Sequence, residues 1–230
     1  GFYVVTSEPV VFNVNGNLTF SSNASYFVAQ RYDAASVASK AYTISNPGYG
    51  KVTVNGGNYT ITYENNVGLF GVSNVGDGSD KAELYINGGI YSIAKGNAIE
   101  LYAGALTVEN STFNVNGDYY VVYNKSTQQV TIKNCNFTSN GSVIWLSSSN
   151  ANLSISGGTY TSETGYVIFT SNGSKTNING GTFISKSGGR VVSVYDNASL
   201  TIDGNAEFRL PNNSASEDRV ISVSAGATLT

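Results

Sequence analysis

The chain has 230 residues, a formal net charge of −3, a pI near 4.9 and only 12% charged residues. This balance leaves no basic footprint for nucleic acid and no polybasic patch for anionic lipid, and no apolar run approaches the roughly 18 residues of a membrane span. Histidine is absent and there is a single cysteine, which removes the commonest general base and metal ligand and excludes an internal disulfide.

What is abundant describes an all-β chain rich in turns: Gly 26, Tyr 16, Phe 10 and 28 Asn. Asn tolerates the left-handed conformation and bonds its own backbone in bends. The chain opens on Gly1-Phe2 rather than Met, as expected where a leader or tag has been removed. Residues 1–50 are the least regular and are expected to form an N-terminal cap and a first irregular coil. Phe12-Asn-Val-Asn-Gly-Asn-Leu-Thr-Phe20 has the strand pattern of an incomplete rung. Asp33–Lys40 reads either as one short helix with Asp33 as its N-cap or as a loop. Some cap is needed, because the first coil of a stacked array otherwise exposes an apolar end.

Residues 51–230 carry a repeat, clearest between 129 and 184. Gln129-Val-Thr-Ile-Lys-Asn-Cys-Asn-Phe-Thr is followed by Asn152-Leu-Ser-Ile-Ser-Gly-Gly-Thr-Tyr-Thr and Lys175-Thr-Asn-Ile-Asn-Gly-Gly-Thr-Phe-Ile, each phrase starting 23 residues after the last. A fixed period of this size marks a stacked-repeat architecture. Within each phrase two apolar residues alternate with polar ones, a small-residue bend follows, and an aromatic closes the phrase, which is strand, bend, strand. The first strand carries Val52/Val54, Leu84/Ile86, Leu106/Val108, Val130/Ile132, Leu153/Ile155, Thr176/Ile178 and Leu200/Ile202. The second carries one aromatic per repeat: Tyr59, Tyr91, Phe113, Phe137, Tyr160, Phe183 and Phe208.

The bend between these strands holds Gly or Asn because it needs positive φ or leaves no room for a β-carbon. Cys135 falls in this bend, in a column with Gly57, Gly89, Ser111, Gly158 and Gly181, and reads as a small filler rather than a reactive thiol. A third short strand is expected to point Ile99/Leu101, Val121/Tyr123, Ile144/Leu146, Ile168/Thr170, Val192/Val194 and Ile221/Val223 inward. Three strands in about 23 residues cannot pair as a meander. Each can pair with its counterpart one coil away, about 4.8 Å distant, and parallel crossovers are overwhelmingly right-handed. The expected fold is therefore an all-β, right-handed, single-stranded parallel β-helix of eight to nine coils. Two repeats are long, Val52 to Leu84 and Leu200 to Leu229, with their excess in Tyr63–Lys81 and Pro211–Asp218. Thr228-Leu-Thr230 begins another first strand, so the C-terminal coil offers an unpaired edge for end-to-end continuation or association.

The recurring phrase of Val or Ile, polar residue, Gly-Gly, Thr and aromatic resembles the repeats of pectate-lyase-like right-handed β-helix proteins, in particular bacterial cell-surface and adhesin-type members. The resemblance covers about residues 51–230. It implies the fold strongly and activity weakly, since this fold carries lyases, hydrolases, tailspikes and inert stalks. Lyases of the family use clustered acids to hold calcium, with an Arg or Lys as base, and its glycosidases use two or three Asp residues within reach of each other.

Here the outward acids Glu100, Glu109, Asp118, Glu163, Asp196 and Asp203 are scattered, and no two recur at the same strand position in adjacent coils. Asp77, Asp80 and Glu83 are a weak candidate for a cation, in a loop without the ligand density of a dedicated calcium site. No catalytic residue and no cofactor is assigned. The outward Thr and Ser column (Thr53, Thr107, Thr131, Ser154, Thr201) is interrupted by Tyr85 and Asn177, so β-propensity explains it better than an ice-binding plane. Eleven Asn-x-Ser/Thr sequences, among them Asn17, Asn58, Asn110, Asn136, Asn172 and Asn197, are acceptors only where glycosylation machinery exists.

The more informative feature is the outward column of the third strand: Glu100, Val122, Trp145, Phe169, Ser193 and Ser222. Three large apolar groups in a row on a water face suggest a contact site, and Tyr102 and Tyr195 flank it. Three readings stay open. The strip receives a glycan or a host or cell-surface protein, it is covered by residues 1–50 or by Tyr63–Lys81, or the assumed phase is off by one. Two functions follow. The first is a non-enzymatic, extracellular or cell-surface stalk or adhesin that binds through this strip. The alternative is a polysaccharide lyase or glycoside hydrolase working near Asp77, Asp80 and Glu83.

Overall fold

The computed structural model describes residues 51–61, 69–70, 82–187, 189–211 and 218–230 with their side chains. It describes residues 68 and 71–73 and the strands Phe2–Val5, Val10–Asn13, Asn17–Phe20, Val28–Arg31 and Tyr42–Pro47 by their backbone. Asp33–Lys40 lies outside the described residues. No helix occurs among those described, and none there is long and apolar enough to cross a membrane.

The molecule is a parallel β-solenoid. The first strands stack in the order 10–13, 51–55, 83–87, 105–109, 129–133, 152–156, 175–179, 199–203 and 228–229, every pair parallel. The second strands stack likewise from 17–20 through 58–61, 90–93, 112–115, 136–139 and 159–162 to 182–185 and 206–209. These two stacks merge into one sheet because 175–185 and 199–209 run through the bend without a break. The third strands make a separate ten-stranded sheet from Phe2–Val5 to Arg219–Val223. In-register partners advance by 22 to 24 residues from Leu84 through Leu106, Val130, Leu153 and Thr176 to Leu200, which makes five regular turns. The steps outside these turns are longer: Val10 to Val52, Val52 to Leu84 and Leu200 to Leu229. The rung expected around Phe12–Phe20 is present as strands pairing onto 51–55 and 58–61.

Alternation decides what is inside. First strands bury every second residue, as in Leu106 and Val108 or Val130 and Ile132, all 0–1% exposed. The second-strand aromatics form one internal column, with centroids 4.8 Å apart for Tyr59–Tyr91, 4.4 Å for Tyr91–Phe113, 5.2 Å for Phe113–Phe137, 5.5 Å for Phe137–Tyr160 and 4.9 Å for Tyr160–Phe183. Each such pair adds about 1 kcal/mol beyond the area it buries. The buried hydroxyls of Tyr91 and Tyr160 donate to the carbonyls of Gly88 and Gly157, both at 3.0 Å. Thr176 breaks the apolar column of the first strand, and its hydroxyl is satisfied in a buried cluster with Thr170 and Ser174.

The bend separates two requirements that the sequence had merged. Its first position is left-handed in every described coil, at Gly56, Gly88, Asn110, Asn134, Gly157, Gly180 and Gly204. At the second position Gly57, Gly89, Gly158 and Gly181 also have positive φ whereas Ser111 and Cys135 do not, so what all six share is small size. Cys135 is buried, and its thiol lies 3.2 Å from the Lys133 carbonyl.

Candidate functional site

In five successive coils the third strand opens on two consecutive buried residues: Ala98-Ile99, Val121-Val122, Val143-Ile144, Val167-Ile168 and Val191-Val192. In the first four of these one outward residue follows, then one inward; in the fifth, Ser193 holds the position expected to face outward but is buried. The last third strand, Arg219–Val223, departs from the expected inward pair, with Ile221 only partly buried and Val223 exposed. The register pairs Glu100 with Tyr123, Tyr123 with Trp145, Trp145 with Phe169, and Phe169 with Ser193. This corrects the phase expected in one coil. Val122 is 0% exposed and part of the core, and Tyr123 takes the outward place. The pattern misled because the inward partner is Asn124, a polar residue. Buried Asn124 is satisfied locally, its carbonyl oxygen accepting the Ser126 amide at 2.9 Å and its side-chain nitrogen donating to the Ser126 carbonyl at 3.2 Å. A buried polar side chain with both ends bonded is tolerated.

With the phase corrected, the row is more aromatic than expected. Three residues before each outward position stands another outward side chain, which adds Tyr120 and Tyr166. Tyr120 stacks on Tyr123 at 5.5 Å and meets Trp145 edge to face at 5.0 Å. Trp145 lies 4.7 Å from Phe169, which also contacts Tyr166 at 5.5 Å and stacks on Tyr195 at 5.5 Å. Tyr123, Tyr120, Trp145, Phe169, Tyr166 and Tyr195 are thus one unbroken chain of half-buried rings. From Glu100 to Ser193 the row crosses four coil steps, roughly 19 Å at the spacing of parallel strands.

The ends are polar. At one, Glu100 accepts hydrogen bonds from Asn97 Nδ2 at 2.7 Å and the Tyr102 hydroxyl at 3.1 Å, and Asn97 in turn accepts the Tyr120 amide at 2.9 Å. Lys125 Nζ stands 5.4 Å from the centre of the Tyr102 ring and 5.3 Å from that of Tyr123. Its hydrogen bond with Tyr123 and the nearby hydroxyls hold its pKa above the ordinary lysine value. Burial, then the neighbouring Tyr123, raises that of Tyr120. At the other end Arg190 Nη1 donates to the Tyr195 hydroxyl at 3.1 Å, and Ser193 is fully buried with no partner for its Oγ among the described residues. Of the residues predicted for this site, Glu100, Tyr102, Trp145, Phe169 and Tyr195 therefore lie on one surface and Val122 does not. Tyr120, Tyr123, Tyr166, Lys125 and Arg190 were missed. The signal for them was the recurring apolar pair flanked on both sides, as in Tyr120-Val-Val-Tyr123 and Tyr166-Val-Ile-Phe169.

The chain matches no protein-family model, no curated protein and no solved structure.

Elsewhere several of the outward acids are held by neighbours. Glu109 pairs with Lys133 at 2.8 Å and accepts the Tyr85 hydroxyl at 3.0 Å, contacts that keep its pKa low. Glu163 pairs with Lys186 at 2.6 Å and Glu207 with Arg209 at 2.7 Å. Asp77 and Asp80 lie outside the described residues, and Glu83 is exposed, 3.8 Å from Lys51. Among the described residues no three of His, Cys, Asp and Glu converge as a cation site requires.

Proposed function

We propose that the protein is a secreted or cell-surface β-solenoid of stalk or adhesin type, and that it recognises its ligand through the lateral aromatic row rather than by catalysis. The row of rings from Tyr123 to Tyr195 carries this reading. Side chains of this kind present large, flat, weakly solvated area at low entropic cost, which is why Tyr and Trp dominate recognition surfaces. The polar groups at its ends, Glu100 with Lys125 and Arg190, supply the directional contacts that fix orientation. A neutral or weakly charged glycan, laid along the solenoid axis with its apolar ring faces against the row, fits this surface best. The repeat phrase keeps the resemblance to pectate-lyase-like surface proteins as its background.

Glycan-array binding with the intact chain, followed by titration of Trp145 fluorescence, tests the proposal. Saturable binding that is lost in Trp145→Ala and Phe169→Ala is the expected result. Binding that survives both substitutions moves the site elsewhere. Release of cleaved sugar from the bound polymer replaces this reading with that of a lyase or hydrolase.

A further inference from the structure

Seven Asn-Gly pairs punctuate the chain, at Asn15, Asn55, Asn87, Asn116, Asn140, Asn172 and Asn179. In this dipeptide the glycine nitrogen can attack the preceding side-chain amide, because no β-carbon hinders closure of the five-membered ring. The nitrogen must shed its proton and swing toward Asn Cγ, so a hydrogen bond that holds the glycine N–H opposes the reaction. Most corners of the solenoid provide one. Gly56 donates to the Asn87 carbonyl at 2.9 Å, Gly88 to the Glu109 carbonyl at 2.8 Å and Gly173 to the Asp196 carbonyl at 2.8 Å. Gly141 donates to Ser139 Oγ at 3.1 Å. In the next coil the same device recurs, with Gly165 donating to Ser162 Oγ at 2.8 Å.

Asn116-Gly117 lacks such a bond among the described residues, for a reason visible in the register. Ser162, Ser139 and Val115 occupy the same position in successive coils, and valine has no hydroxyl. The Gly117 N–H has no acceptor among the described residues. The Asn116 carboxamide is exposed and also makes no hydrogen bond among them. By contrast Asn87 accepts from Asn110, Asn140 donates to the Asn116 carbonyl, and Asn172 donates to the Ser147 carbonyl.

We propose that Asn116-Gly117 is the site of spontaneous backbone-driven deamidation in this protein. The Gly117 nitrogen forms a bond to Asn116 Cγ as the Cγ–NH2 bond breaks, and the amide proton leaves with ammonia. Water then opens the cyclic imide to aspartate or isoaspartate. The product carries one more negative charge, beside Asp118. Its isoaspartyl form adds one carbon to the backbone of the link that leads into Tyr120, which packs against Trp145.

Peptide mapping by mass spectrometry after incubation of the intact chain in mildly alkaline buffer tests this. Asn116 is expected to convert several-fold faster than Asn55, Asn87, Asn140 and Asn172. Val115→Ser, which restores the missing hydroxyl, slows Asn116 to the rate of Asn140. Ser139→Ala, which removes it from the next coil, brings Asn140 up toward the rate of Asn116 and serves alone if the first variant does not fold. Equal rates at Asn116 and Asn140 in the unsubstituted protein, or no response to Ser139→Ala, would overturn the proposal.

Discussion

One residue of phase separates Val122, locked in the core, from Tyr123, which stands in the outer row. The two positions therefore respond in opposite ways to the same change. Val122→Asp buries an unpaired carboxylate and costs about 4 kcal/mol or more. Tyr123→Asp loses one stacked contact with Tyr120, about 1 kcal/mol, but weakens ligand binding. Denaturant unfolding of the two variants checks the order, and the reverse order would return Val122 to the surface. Sequence alternation could not choose between these phases, because either choice buries one valine and one of Tyr123 or Asn124. The deciding fact is that Ser126 satisfies Asn124 on the inside.

Cys135 makes a second prediction at this scale. Burial pushes its thiol up to about 11, above the roughly 8.5 of an unfolded thiol. The folded protein keeps this proton at pH values where the unfolded chain has lost it. The stability is complete below about 8.5 and declines as pH rises through the window up to the folded value. Above about 10 the buried hydroxyls of Tyr59, Tyr91 and Tyr160, also raised by burial, extend the decline. Equilibrium unfolding measured across this range should show the loss. Cys135→Ser, which places there the residue already found at Ser111, should flatten its lower part.

At the scale of the element, the two positions of the bend obey different rules. Gly88 has φ +76°, and the nearest atom to an added β-carbon is 3.7 Å away. Gly88→Asn is expected to change stability by no more than about 0.5 kcal/mol, since Asn110 and Asn134 hold the same conformation. Gly158 combines φ +90° with a β-carbon that would collide with the Cys135 carbonyl oxygen. Gly158→Ala is expected to cost about 3 kcal/mol or more, from strain and overpacking together. Thermal unfolding of the two variants checks the contrast. The bend was legible in the sequence as a column of Gly and Asn. Its division into a conformational and a steric position was not, because Gly meets both demands and masks the difference wherever it stands.

At the scale of the whole molecule, the stacking repeats one local solution: a left-handed bend, an internal aromatic and a short third strand. The period alone revealed this architecture, because each coil buries its apolar side only against coils of the same phase. The inside of the solenoid was therefore nearly complete in the sequence, down to the order of the aromatic column. The outside was less so. Side chains from different strand positions, such as Tyr120 and Trp145 or Arg190 and Tyr195, meet there through twist and rotamer, which a column-by-column reading omits. Trp145 is the chain's only tryptophan, so its emission reports this surface without interference. Acrylamide quenching of that emission in the free protein is the most direct test. A half-exposed indole gives partial quenching that rises in Phe169→Ala and falls when ligand is bound. An indole wholly protected in the free protein would show the row to be covered, and the surface assigned here to recognition would not exist.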